Sequence, residues 1–312
     1  MNTIAQLFSA STRLAIHQNT LQSALMEAFG GIPSSTGEDP KTYLERVSEE
    51  LNLIKTSFFP VSEEKEVNLT DNYFDENIPT GSIAYHRIWG FITASNPWYF
   101  SSKQFERDLL AAEANPSISC HFIHANSGGG EAWYLDRLSE TMRKLTKPVF
   151  VFCEKFNCSA CYYITCHAKY IAANTENDSI GCIGTMVEVT NWEGWYEKYG
   201  IKVVRAKATK SDLKNKIVED LLNGKPKQYI EEVLDPMTEQ FLAEVRSQRP
   251  ELAKLPEDDP VFRGATFNTP HAIENHLIDG KMTFVEAVLK AKEFADEYDS
   301  AQSLRNNTSQ FF

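Results

Sequence analysis

The chain has 312 residues, with 42% apolar and 24% charged residues, enough for one large soluble domain with appendages or two modest ones. A net charge of −12 and the lack of a basic patch speak against a nucleic-acid backbone or an anionic membrane surface as partner. The start, residues 1–30, lacks the apolar core of a secretory signal, and no apolar run reaches the roughly 20 residues needed to span a bilayer, so a soluble, intracellular protein is expected.

Taken in order, residues 3–28 place Ile4, Leu7, Leu14, Ile16, Leu21 and Leu25 in an amphipathic helical pattern that stops at Gly30-Gly31. A Pro, Ser, Thr and Gly rich linker (32–40) follows. A second helix is expected to about Thr56, then a polar acidic run to Asn77. Residues 1–80 thus read as a helical extension. From Ser82 the texture becomes alternating strands and helices. Strands are predicted at 82–89, 118–125, 149–153, 170–173, 183–189 and 203–206, with helices at 102–114 and 131–145. That alternation implies an α/β fold with a mostly parallel sheet. Its ligands sit at the carboxyl ends of the strands. Residues 225–248 form a strong helical pattern that Pro236 should kink or divide. A strand at 261–268 and a final helix at 282–298 complete the 81–298 domain, leaving 299–312 as a flexible tail.

Two segments carry the chemistry. Asn126-Ser127-Gly128-Gly129-Gly130 follows one apolar strand, and its glycines permit positive φ and close backbone approach to a ligand. Asn157-Cys158-Ser159-Ala160-Cys161 follows another, setting Ser159 at a strand-to-helix turn between small residues. The bland readings are a tight turn and a simple helix cap. A serine nucleophile needs a base. His167 lies eight residues along the helix after Ser159, roughly 12 Å of rise and far beyond hydrogen-bond reach. His271 and His276 sit in a polar loop-like segment. Lysine remains, as in Ser-Lys dyads, provided desolvation lowers its pKa by about 3 units. The stretch 203–212 supplies Lys207 and Lys210, between which the residues alone do not choose. The six cysteines, Cys120, Cys153, Cys158, Cys161, Cys166 and Cys182, read as buried free thiols. The Cys158-x-x-Cys161 spacing lacks the second knuckle of a structural zinc site.

The run 82–298 resembles the signal peptide peptidase A (SppA-like) family of serine peptidases, of Clp protease/crotonase-like fold, and within it the bacteriophage capsid assembly or prohead protease branch. The family's Asn-Ser-Pro-Gly-Gly turn is matched by Asn126 to Gly130, with Gly128 in place of proline. Its small-Ser-Ala-small-Tyr segment is matched by Cys158 to Tyr162, and its Gly-Ser-Ile-Gly element by Asp178 to Gly181. The family's Gly-Ala-His-Lys-x-Asp-like segment aligns with Lys207 to Asp212 and selects Lys210, with Lys207 replacing a glycine. Leu14-Ala15-Ile16-His17 is similar to the opening motif of phage members.

The resemblance implies Ser159 as nucleophile and Lys210 as general base. It also implies an oxyanion hole from the N–H groups of Gly129 and Ala160, with Ser179 orienting Lys210. It implies no metal or nucleotide, a polypeptide substrate such as a capsid or scaffold protein, and a homo-oligomer in a bacterial or phage-infected cytoplasm or a procapsid. The rival readings are a cytoplasmic peptide-degrading peptidase, an inactive assembly scaffold, and a crotonase-like acyl-CoA enzyme. The last is disfavoured by the Ser159 and Lys210 pair.

Overall fold

The computed structural model describes residues 67–308, apart from 76 and 97, together with the short strand 14–16. The helices expected over 3–28 and up to Thr56 otherwise lie outside the described residues. Within the first of them, Leu14–Ile16 (β1) is extended rather than helical.

Long buried strands build the centre. Leu69–Thr70 (β2) precedes Ser82–Thr93 (β3), and Phe100–Ser101 (β4) leads into helix α1, Ser102–Ala114. The Ser101 side chain caps α1 by accepting the Gln104 N–H. Ile118–Glu131 (β5), helix α2 (Leu135–Met142), Val149–Cys158 (β6) and helix α3 (Ala160–Thr165) follow, then Tyr170–Ala173 (β7) and Ser179–Gly181 (β8). The described strands form one sheet with the path β10-β7-β6-β5-β3-β2, the outermost being Gly280–Lys281 (β10). Every pairing along that path is parallel.

Because side chains alternate across a strand, neighbouring residues feed opposite cores. Ile123, Ala125, Val149 and Val151 join one cluster, and Phe122, Phe150 and Phe152 the other, where the rings of Phe122 and Phe150 stack at 5.5 Å. Such two-sided burial explains the near-continuous apolar runs of β5 and β6. Each fully buried Phe or Ile side chain contributes about 1.5–3 kcal/mol. Leu135, Leu138 and Ile164 cover the first face, and Ala287, Ala291 and Phe294 of the last helix cover the second.

Beyond β8 the chain departs from the expected pattern. Residues 183–189 and 203–206 are not strands, although their β-branched content suggested it. Among the described residues neither stretch forms a strand of the sheet, Met186 making only an isolated bridge, and Val204 is 89% exposed. Helices Glu193–Lys198 (α4) and Lys216–Leu222 (α5) bury no residue. The arm rejoins the core through Lys227–Tyr229, a π-helical turn at Ile230–Leu234 and helix α6, Asp235–Gln248. Pro236 sits just after the π-turn, whose widened turn accommodates a residue that has no N–H for the helix ladder.

The stretch expected as one strand over 261–268 is a 3₁₀ turn at Pro260–Arg263 followed by Thr266–Phe267 (β9), which pairs antiparallel with β8. After helix α7 (Thr269–Glu274), helix α8 runs from Phe284 to Thr308. It passes the expected end at Tyr298, and Ser119 donates to Asp299 at 2.6 Å. Among the described residues no helix is long and apolar enough to cross a membrane.

Candidate active site

The carboxyl ends of β5 and β6 meet as their sequences required. The parallel register brings Ala125 opposite Cys153 and, after a bulge, Ser127 opposite Asn157. Two residues beyond that pair stand Gly129 on β5 and Ser159 in the turn that follows β6.

Ser159 begins helix α3 with φ 55° and ψ −123°, a conformation that L-residues other than glycine rarely adopt. Holding it costs on the order of 1–3 kcal/mol. Its N–H donates to the Gly181 carbonyl at 2.7 Å, and its carbonyl accepts the Tyr163 N–H at 2.9 Å. The turn is also fixed from behind. Thr165 Oγ1 donates to Asn157 Oδ1 at 2.9 Å, and Tyr162 Oη to the Leu277 carbonyl at 2.7 Å. Ser159 is 1% exposed, yet its Oγ has no hydrogen-bond partner. A buried polar atom left unpaired costs free energy, and Ser159 Oγ shares that state with Ser102 Oγ and Asn157 Nδ2 among the described residues. Ala160 is the first residue of α3, and its N–H therefore has no acceptor within the helix.

Gly129 has φ 106°, which a side chain would strain. Its N–H donates to Ser127 Oγ at 3.1 Å, and Ser127 Oγ donates in turn to the Gly90 carbonyl at 2.6 Å. Ser127 thus holds the glycine turn against β3, a role the sequence reading missed although the residue stands inside the motif. Gly181 was missed as well. Its carbonyl anchors Ser159, and at φ 106° an added Cβ would lie 3.0 Å from the Ala265 carbonyl oxygen.

Ser179 is half-buried in β8, opposite Phe156 of β6, and its carbonyl accepts the Cys158 Sγ–H at 3.2 Å. Lys210 stands apart, exposed in a 3₁₀ turn at Thr209–Ser211, and no hydrogen bond joins it to Ser159. Lys207 is engaged with Glu219 at 2.8 Å.

His167 is committed elsewhere, with Nε2 at 2.8 Å from Glu244 Oε1 and Nδ1 at 2.9 Å from the Ile164 carbonyl. Glu244 is partly desolvated, which would raise its pKa. The hydrogen bonds from His167 and Arg143 outweigh this and bring it down to about 2. His271 and His276 are exposed. Cys158 and Cys161 are free, and burial pushes both thiols up, which keeps them protonated and unreactive.

A cavity of about 160 Å³ opens beyond the end of β5, lined by Ala132, Tyr163, Thr185, Met237 and Phe241 among others. Its size suits one side chain rather than a whole ligand. A larger cleft of about 680 Å³ near His86, Lys103 and Tyr134 holds none of the expected site residues.

The family model of peptidase family S49 matches residues 141–297. Protease 4 of Haemophilus influenzae is 28% identical over 195 residues, covering 61% of this chain and 31% of that protein. A second relative, named a putative protease, from Methanocaldococcus jannaschii, is 31% identical over 100 residues, covering 31% of this chain and 32% of its own length. The chain therefore spans about a third of the length of these curated relatives. Among solved structures, a lysine-to-alanine mutant of the 1510-N membrane-bound stomatin-specific protease, in complex with a substrate peptide, aligns with TM-score 0.45 and 16% identity. The alignment covers 69% of this chain and 81% of that one. An enoyl-CoA hydratase/isomerase family member aligns with TM-score 0.36 and 13% identity, covering 73% and 74%. At these scores neither likeness bears on the chemistry of the site.

Proposed function

Because the chain belongs to peptidase family S49, we propose that it is a serine endopeptidase in which Ser159 attacks the peptide carbonyl and Lys210 takes the proton. The observation that carries this reading is the buried, unpartnered Oγ of Ser159 on a strained turn. Attack forms the Ser159 Oγ–C bond and a tetrahedral oxyanion. The N–H groups of Ala160 and Gly129 receive that oxyanion, at roughly 3–4 kcal/mol per donor. Gly129 must turn its N–H from Ser127 Oγ to do so. Collapse breaks the C–N bond, and the proton held by Lys210 passes to the departing amine. Water, deprotonated by the same lysine, then attacks the acyl carbon, the C–Oγ bond breaks, and the lysine returns the proton to Ser159 Oγ.

Lysine acts as a base only when desolvated. For Lys210 that requires the arm of residues 185–225 to be covered, with Ser179 in reach to orient it. Trp195, Tyr199, Val204 and Leu213 on this arm are between 50% and 89% exposed, an apolar surface suited to a second copy of the chain. A homo-oligomer in which arms pack beside neighbouring sites meets both needs. The opening Leu14-Ala15-Ile16-His17 segment favours a phage head-maturation setting, with capsid or scaffold polypeptides as substrates.

The test is fluorophosphonate labelling and cleavage of a casein or capsid-protein substrate. Parent and Lys207→Ala should react, whereas Ser159→Ala and Lys210→Ala should not. Labelling of Ser159→Ala equal to the parent would overturn the mechanism. Cleavage of co-expressed capsid protein, read by mass spectrometry, tests the setting.

A further inference from the structure

The terminal residues of β5, Gly129 to Glu131, have two edges. On one, Gly129 and Gly130 pair with Phe91 and Ile92 of β3. That approach is so close that a Cβ on Gly130 would fall 2.0 Å from the Ile92 carbonyl oxygen, so only glycine lets β5 lie flush there. The other edge faces the side where β6 runs, but β6 ends at Cys158 and turns through Ser159 into α3. From Gly129 onward that edge has no β6 partner, and an extended peptide can add to it through main-chain hydrogen bonds.

In this structure the edge is taken by the chain itself. β1 lies antiparallel along it, with Leu14 opposite Glu131, Ala15 opposite Gly130 and Ile16 opposite Gly129. From Leu14 to Ile16 the segment runs toward Gly129. That is the path required of the acyl side of a substrate, whose carbonyl must arrive between Ser159 and the Gly129 N–H.

We propose that Leu14–Ile16 is an internal occupant of the substrate's acyl-side strand position, so that the chain holds its own site closed in cis until a substrate displaces it. This rests on the reading of Ser159 as nucleophile. A tethered segment competes intramolecularly, so a substrate meets a competitor already in place.

The test uses the full chain carrying Ala15→Pro, since proline fixes φ near −65° and restricts Leu14 as well, which together break an extended pairing. Ala15→Ser, which keeps the N–H, is the control. Hydrogen–deuterium exchange in the peptide spanning residues 130–131, beyond the Gly129 amide that Ser127 Oγ holds, should quicken at least tenfold in Ala15→Pro and stay at the parent rate in Ala15→Ser. KM for a fluorogenic peptide should fall about fivefold or more with kcat within twofold. A synthetic peptide of residues 10–20 should restore the protection and inhibit competitively. Unchanged exchange in Ala15→Pro, or faster exchange with unchanged KM, overturns the proposal. The exchange measurement needs no catalysis and can be repeated in Ser159→Ala. Failure of the occupancy and failure of the serine mechanism are thereby told apart.

Discussion

The N–H of Ser159 and the carbonyl of Gly181 meet at 2.7 Å, and this bond holds the Ser159 backbone in its strained conformation. The acceptor depends on a residue without a side chain. Gly181 sits at φ 106°, and a Cβ there would press on the Ala265 carbonyl at 3.0 Å. Gly181→Ala should therefore destabilise the fold by about 1–3 kcal/mol. It should also lower kcat by tenfold or more, because even a small displacement of a reacting group is costly. Paired measurements of thermal unfolding and kcat check this. A loss of stability with kcat unchanged would show that the bond does not position Ser159.

How far the sequence carries the argument depends on where the determinants lie. Ile118 to Ala125 and Val149 to Cys153 announce buried parallel strands because both faces of each are covered, and the segments that hold Gly129 and Ser159 follow the paired ends of these two neighbouring strands. The helix at Ser102–Ala114 is legible from its periodicity and its Ser101 cap. Nothing local marks Gly181 as the anchor of Ser159, since that contact depends on β8 pairing with β6. The same holds for Leu14–Ile16, where helical spacing of apolar residues competes with an edge supplied by residues more than a hundred positions away. The β-branched run at 203–206 misleads for the converse reason, because strand propensity without a partner strand makes no strand.

The cavity beyond β5 should set the preference for one substrate side chain. Tyr163 and Phe241 form its rigid wall, with ring centroids at 5.0 Å, and Met237 is its adaptable side. Met237→Trp fills the space. For peptides with Leu or Met at the matching position, KM should rise about tenfold while Gly-containing analogues change little, the loss being one buried side chain worth about 1.5 kcal/mol. A KM series over single-residue peptide variants provides the check. An equal rise for all of them would mean that the cavity receives no side chain.

Lys207 and Lys210 should separate cleanly. Lys207 pairs with Glu219 at a partly exposed position, a contact worth at most about 1 kcal/mol. Lys207→Ala should accordingly keep activity within a few-fold of the parent, while Lys210→Ala loses a thousandfold or more. Val204→Asp and Leu213→Asp place charge on the exposed apolar arm. They should lower both the assembled fraction in analytical ultracentrifugation and the specific activity, with the shortfall shrinking as protein concentration rises. Activity independent of concentration and assembly would place the base elsewhere than on a covered arm.

Glu244 makes the fold sensitive to acid at a distance from Ser159. Its pKa in the folded chain is held down to about 2 by His167 and Arg143 against the opposing pull of desolvation, below the ordinary value of 4.5. A carboxyl group depressed on folding stabilises wherever it is ionised in both states, here above about pH 4.5. That contribution drains away as pH falls from 4.5 toward 2, because the unfolded chain takes up the proton first. Glu244→Gln removes it. The variant should be less stable than the parent by about 1–2 kcal/mol at pH 7, the linkage value reduced for solvent screening. The gap should narrow steadily between pH 4.5 and pH 3. Urea unfolding of both proteins at pH 7, 5, 4 and 3 measures it, and a gap that stays constant over this range would mean that the Glu244 charge contributes nothing through its ion pairs.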